Sequence, residues 1–356
     1  MGARRKILIL GASYGSLLGV KLALAGHEVD LVCRPGEAEL INREGAIVRL
    51  PVRGREKPVE INSKKLPGRV RAGGPGAFEP AGYDLTVLAM QEPQYRATDV
   101  RALMEVLAES KVPCLSLMNM PPLPYLARLP GIDVNACRRC YTDATVWDGF
   151  APALLTLCSP DPQAFRPPSE PGNVLQVTLP TNFKAARFES EAHTVRLRAF
   201  EREIEAARFD VDGQCIELPV KLKVYDSLFV PLAKWAMLIA GNYRCVTKQG
   251  VRSIREAVHG DLAASRAVYE WVVRLCLALG ADEKDLVPFE KYARAALSLA
   301  SPSAAARALA AGATDIERVD RLVQEIARQK DMRCEALDRM VALIDERIEA
   351  NRRKAA

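Results

Sequence analysis

The chain has only three histidines in 356 residues, His27, His193 and His259, which leaves little room for the commonest acid–base side chain. No apolar run approaches the ~18 residues that a membrane span needs, so no membrane partner is expected. The opening MGARRKILIL is basic and then apolar, as a secretory leader is, but its apolar part is short and breaks into a glycine turn, which makes it a first strand. Charge of one sign is missing too: fifty Lys and Arg stand against forty-four Asp and Glu, interspersed and without a basic stripe carrying aromatics. Nucleic acid is therefore not an expected partner. The nine cysteines are odd in number, scattered and without framework spacing, which suits reduced thiols in a cytoplasm. The one close pair, Cys137 and Cys140, has neither a second pair nor a nearby histidine to complete a zinc site, and no metal is expected.

What is present is a chain 49% hydrophobic, long enough for one large domain or two ordinary ones. Its most informative stretch is residues 6–34. An apolar strand (Ile7 to Leu10) enters a turn bearing Gly11, Gly15 and Gly19, a helix follows, and a second strand (Val29 to Val32) ends at Arg34. This is a βαβ opening of dinucleotide-binding type: a helix N-terminus offers unpaired N–H groups to a pyrophosphate, and glycine lets the backbone come close. The spacing is G-x-x-x-G-x-x-x-G, not G-x-G-x-x-G, with Ser13 at the middle position. Gly11, Ser13, Tyr14 and Gly15 are the candidate cofactor contacts; a tight packing turn is the alternative. An acid at the end of the second strand would hold a ribose 2′-hydroxyl, and a base would accept a 2′-phosphate. Asp30 lies too far back, inside the strand, and Arg34 stands at the end, which favours NADPH over NADH. A solvated arginine before Pro35-Gly36 is the other reading.

Further strands alternate with helices. A short helix (Glu37 to Arg43) precedes strands in AIVRLPVRG and PVEIN; GYDLTVLAMQ reads as a buried strand, followed by a helix (Thr98 to Glu109) and the strand VPCLSLMN. Strand, helix and strand in sequence imply a parallel sheet whose ligands sit beyond the strands' carboxyl ends, where Gln91, Gln94 and Asn119 fall. Asn119 either orients a ligand amide or carbonyl, or satisfies its own backbone before Pro121-Pro122. From Tyr141 to Val224 the strands ALLTLCS, VLQVTLP and CIELPVKL and a charged helix (Ala192 to Arg208) are expected, with the loop DPQAFRPPSEPG as an active-site edge or a surface insertion. From Tyr225 on, apolar positions recur at helical spacing through SLFVPLAKWAMLIAG, ASRAVYEWVVRLCLALG, ARAALSLA and IERVDRLVQEIARQ, and the tail ERIEANRRKAA reads as a solvated helix end. The expected fold is α/β: a Rossmann-type domain over residues 1–224 with an extended middle segment, then an all-helical domain over 225–356.

With these motifs in place the sequence resembles the ketopantoate reductases (2-dehydropantoate 2-reductases), nearly end to end. That family places a lysine on the first helix of its second domain with asparagines four and eight residues on; PLAKWAMLIAGNYRC supplies Lys234 and Asn242, with Leu238 between. It also has a serine followed twelve residues later by a glutamate after threonine, answered by Ser303, Thr314 and Asp315. Its strand-end lysine with a glutamine three residues on is answered by Gln91 and Gln94, and its strand-end asparagine by Asn119. The glycine turn is one residue shorter than the family's. The resemblance implies a Rossmann domain followed by a helical one, NADP as cofactor, a 2-oxo acid as the small-molecule substrate, Lys234 and Asp315 as catalytic residues, and Asn242 and Ser303 as substrate contacts. A homodimer is compatible with it.

Read as chemistry, ketone reduction needs a hydride, a proton and donors for a substrate carboxylate. None of the three histidines is well placed, whereas a partly desolvated Lys234 could give up a proton near neutrality and polarise the carbonyl while it holds it. A lysine snorkelling beside Trp235 is its bland reading. Eight residues on a regular α-helix rise about 12 Å and turn about 80°, so Lys234 and Asn242 could flank one small molecule. Thr314 to Glu317 has the form of a capping box, which would place Asp315 in a first helical turn. Ser303 after Pro302 could donate to a carboxylate or cap a helix. Two rivals remain: an opine-type dehydrogenase that reduces an imine, with Asp315 meeting an amine, and a dinucleotide-binding protein that turns nothing over.

Overall fold

The computed structural model describes residues 3–355, which cluster into two compact units. The first comprises the chain up to Met90, Gln94–Tyr125 and Val146–Asp226; the second comprises Gln91–Pro93, Leu126–Thr145 and the chain from Ser227. The helical unit thus begins close to the change in periodicity at Tyr225. It also takes in two stretches that local pattern does not mark, and one of them contains Gln91.

The first unit is built on strand β1 (Lys6–Leu10), helix α1 (Tyr14–Leu24), strand β2 (Glu28–Val32) and helix α2 (Pro35–Glu44). Strands β3 (Ile47–Leu50), β4 (Val59–Asn62), β5 (Arg69–Gly73) and β6 (Leu85–Leu88) follow. Then come helix α3 (Thr98–Ser110), strands β7 (Cys114–Leu117), β8 (Leu155–Ser159), β9 (Gln163–Phe165), β10 (Val174–Leu179) and β11 (Phe183–Ala186), helix α4 (Glu191–Ala206), the hairpin β12–β13 (Phe209–Val211, Gln214–Ile216) and β14 (Leu222–Tyr225). The main sheet runs β14-β11-β8-β7-β6-β1-β2-β5 and is parallel except where β11 meets β8. Its central strands carry almost nothing but buried apolar residues, as two covered faces require. A four-stranded sheet, β4-β3-β10-β9, takes up most of the polar segment after α2 and part of the middle segment. The expected strand CIELPVKL is split between β13 and β14 by Pro219 and Val220, the latter at φ 63°.

The second unit is helical. A compound helix runs from Pro231 to Cys245, with 3₁₀ turns at both ends, an α-turn at Lys234–Met237 and a π-turn at Leu238–Asn242. Helices α5 (Ile254–His259), α6 (Leu262–Ala278), α7 (Phe289–Ala296), α8 (Ala304–Ala310), α9 (Val319–Arg328) and α10 (Glu335–Ala355) follow. Helix α9 starts later than its apolar pattern suggests, so Thr314–Glu317 is not a capping box: residues 313–318 are irregular chain ahead of the helix. The cause is a competing set of bonds. The Tyr243 hydroxyl donates to the Glu317 carbonyl at 2.5 Å and accepts from Val319 N–H at 3.0 Å, while Arg318 forks onto buried Asp320 at 2.8 and 2.9 Å. These contacts fix the backbone of 317–318 in a non-helical path up to the first residue of the helix. Among the described residues no helix is long and apolar enough to cross a membrane.

Candidate functional site

In the first unit the glycines prove to do different things. Gly11 turns the chain out of β1 at φ +100°, and a Cβ there would lie 2.6 Å from the Ala89 carbonyl oxygen beyond β6. Only glycine tolerates both conditions. Gly15 and Gly19 serve packing: a Cβ on Gly15 would meet Ile9 Cγ2 at 2.7 Å, and one on Gly19 would meet Val29 Cγ1 at 3.3 Å. They let α1 lie close on β1 and β2. The regular four-residue spacing is therefore one turn glycine followed by a helix face pressed on the sheet. Ser13 sits at the N-cap of α1 without a side-chain capping bond, so its hydroxyl does not occupy the N–H groups of the first turn.

Arg34 occupies the N-cap of α2, at the carboxyl end of β2, with an exposed side chain that pairs with no described residue. Asp30 is fully committed: it is buried, takes a two-pronged bond from Arg71 at 2.7 Å and accepts the Tyr83 hydroxyl at 2.7 Å. It is thereby unavailable to a ribose, as its place inside the strand suggests. Gln94 is exposed after β6, and Asn119 is half-buried just past β7. Gln91 is exposed and clusters with the helical unit.

Sequence reasoning missed Arg166. The middle segment folds back over the glycine turn: Tyr14 Oη donates to Pro162 O at 3.0 Å, and Arg166 Nη2 donates to Ala12 O at 2.8 Å and pairs with Glu37 in the first turn of α2. The loop DPQAFRPPSEPG therefore borders the candidate cofactor turn. Its single arginine was the available signal, but nothing local connects it to a turn some 150 residues earlier.

In the helical unit, Lys234 and Asn242 are both half-buried on the compound helix. The π-turn between them changes their relation. It inserts one extra residue, so a position eight on behaves like one seven on, about 20° off the same face instead of about 80°. Asn242 therefore comes nearly into line with Lys234, and its side-chain amide meets no partner among the described residues, while its carbonyl accepts the Ser303 hydroxyl at 2.7 Å.

Ser303 is buried and fully employed. Its one proton goes to Asn242 O, and its oxygen accepts Ala306 N–H at 3.2 Å as the N-cap of α8. It supports Asn242 from behind and has no proton left for a carboxylate. Asp315 is held by an ion pair with Arg352 of α10 at 2.7 Å and by the Thr314 hydroxyl at 3.0 Å.

Two buried acids stand close by in the same unit. Glu92 accepts Thr142 N–H at 3.0 Å and the Thr142 hydroxyl at 2.9 Å, and its own N–H donates to the Glu317 carboxylate at 3.4 Å. Burial, opposed by those bonds and assisted by the neighbouring Glu317 charge, pushes the Glu92 carboxyl up to about 7. A buried carboxyl poised near neutrality is an acid–base candidate that the sequence did not suggest. The histidines are accounted for: His27 bonds Glu203 at 2.9 Å, His193 packs on Phe188, and His259 reaches the Ala293 carbonyl at 2.9 Å. Cys137 and Cys140 are buried, and burial holds their thiols at about 11 and about 12.

No protein-family model and no curated protein matches the chain in sequence. Solved structures do match it in shape. A 2-dehydropantoate 2-reductase from Methylococcus capsulatus superimposes with a TM-score of 0.63 at 14% identity, covering 97% of this chain and 97% of that one. A ketopantoate reductase from Ralstonia eutropha gives 0.61 at 17% identity, over 98% and 99%. A D-mandelate dehydrogenase solved with NADH and anilino(oxo)acetate gives 0.63 at 13% identity, over 98% and 99%. Over nearly its whole length the chain has the fold of the ketopantoate reductases, a Rossmann-type unit joined to a helical one.

Proposed function

We propose that the protein is an NADPH-dependent reductase of a 2-oxo acid. What carries this reading is the placement of Lys234 and the Asn242 amide on one compound helix with a π-turn between them, which by helix geometry brings the two towards one face. The fold likeness to oxo-acid reductases supports it, as does an uncapped α1 N-terminus beside a free Arg34. The residues fit the dinucleotide: Gly11 to Gly15 form a turn onto an open helix end for the pyrophosphate, and Arg34 is the cation for a 2′-phosphate.

When bound, the nicotinamide supplies the hydride. Lys234 holds a proton on Nζ, polarises the ketone through it and delivers it to the oxygen as the alkoxide develops. Asn242 binds the substrate's polar end and fixes its orientation. Ser303 keeps Asn242 in place through its backbone. Asp315 keeps Arg352 in place, and an amine would have to compete with that guanidinium for it; that weighs against the imine-reducing alternative.

The burial of Glu92 against Thr142 and Glu317, which pushes its carboxyl up to about 7, favours a second proton source. The two are separated by the pH profile of kcat/KM. If Lys234 is the donor, Glu92→Gln leaves the profile in place and Lys234→Ala removes turnover; if Glu92 is, the reverse holds. The overall reading is tested by adding NADPH and a panel of 2-oxo acids and following nicotinamide absorbance. Binding of NADPH with reduction of none of them would make the protein a dinucleotide binder.

A further inference from the structure

The π-turn at Leu238–Asn242 has a visible cause. In regular α-helix the Met237 carbonyl would take the N–H of Gly241, four residues on; in the π-turn the partner shifts to the fifth residue. The Tyr292 hydroxyl, from α7, donates to the Met237 carbonyl at 3.1 Å, occupying the lone pair that the shift leaves open. It reaches that place because position 241 is glycine: a Cβ there would lie 1.9 Å from the Tyr292 oxygen and 3.3 Å from Val258 Cγ2. Tyr292 is buried, its ring stacked on Tyr269 at 5.4 Å between centroids with an interplanar angle of 18°, so the hydroxyl has one direction in which to point. On its far side the turn is fastened by Ser303 through the Asn242 carbonyl.

We propose that Tyr292 is a positioning residue. Its hydroxyl, seated on Gly241 and donating to Met237, holds the π-turn that swings Asn242 from about 80° off Lys234 to about 20°, and so lets both act on one substrate. This rests on the reading of Lys234 and Asn242 as proton donor and substrate contact. π-turns are frequent at functional sites, and here the turn falls between the two residues whose alignment the chemistry needs.

The test is Tyr292→Phe, which keeps the stacked ring and removes only the hydroxyl. KM for the 2-oxo acid is expected to rise roughly tenfold, the worth of one polar substrate contact, while kcat changes less and NADPH affinity stays the same. A crystal structure of the variant is expected to show Gly241 N–H back on the Met237 carbonyl. Gly241→Ala should act in the same direction, and in the double variant Gly241→Ala with Tyr292→Phe the larger steric part of its cost, the clash with the hydroxyl, should disappear. A KM unchanged within about twofold in Tyr292→Phe overturns the proposal, and so does a π-turn that persists without the hydroxyl. If the parent protein reduces no 2-oxo acid, the functional reading falls, and the variant's structure still decides whether the hydroxyl holds the turn.

Discussion

Gly11 in the first unit and Gly241 in the second play matched parts. Each is kept free of a Cβ so that another group can approach closely: the Ala89 carbonyl in one case, the Tyr292 hydroxyl in the other. Gly11 is recognisable in the sequence because a strand runs into it and a helix follows it, even though the Ala89 carbonyl it admits comes from far along the chain. Gly241 is not, because its partner arrives from a helix far along the chain, and in the sequence it is simply a small residue in an apolar run. The difference teaches where sequence reading is strong. A device built from neighbours in sequence shows itself by spacing, whereas one built from neighbours in space does not.

Substitutions can sharpen that contrast. The largest effect is expected at Lys234: replacement by alanine should lower kcat for 2-oxo acid reduction by roughly 10²–10⁴-fold, the usual worth of a positioned general acid, with NADPH affinity retained by titration. Unchanged turnover would remove Lys234 from the chemistry. Gly11→Ala faces both a positive φ and a 2.6 Å approach to a backbone oxygen. It should cost about 2–3 kcal/mol of stability in denaturant unfolding and weaken dinucleotide binding as well.

Glu92 gives a pH signature of similar size. Its carboxyl is raised from the ordinary range to about 7, so the folded protein holds that proton more tightly than the unfolded chain does. Its contribution to stability is therefore full below the ordinary carboxylate range and is lost as pH rises towards 7, by up to ~3 kcal/mol. Glu92→Gln keeps acceptors and donors for Thr142 and should flatten that slope; an unchanged slope in urea unfolding between pH 5 and pH 8 would contradict the assignment. A smaller effect is expected at the end of β2. Arg34→Ala should weaken NADPH about tenfold and leave NADH alone, read by equilibrium titration with both nucleotides. Smallest of all, Ser303→Ala should cost about 1 kcal/mol through the lost cap of α8. Any rise in KM would come indirectly, through a loosened Asn242.

Much of the fold was legible. The βαβ opening, the buried parallel strands and the change to helical periodicity near Tyr225 all follow from local pattern, and each appears in the structure close to its expected bounds. The site was legible in pieces. Arg34 stands where the pattern placed it, and the Lys234–Asn242 spacing was visible, but the π-turn between them was not. The family resemblance makes Asp315 and Ser303 ligands; in three dimensions their polar atoms bond to Arg352, Asn242 and Ala306. Glu92 escaped notice because its significance comes from burial next to Glu317, which no window of sequence reports. Arg166 escaped it because the middle segment must fold back before the arginine meets the glycine turn.

The most direct test of the central claim is to mix the purified protein with NADPH and a panel of 2-oxo acids, aliphatic and aromatic, and follow loss of the reduced nicotinamide's absorbance. Oxidation of NADPH that depends on at least one oxo acid, with formation of the 2-hydroxy acid and abolition by Lys234→Ala, is the expected result. Tight NADPH binding without reduction of any member, or reduction that survives Lys234→Ala undiminished, would contradict it.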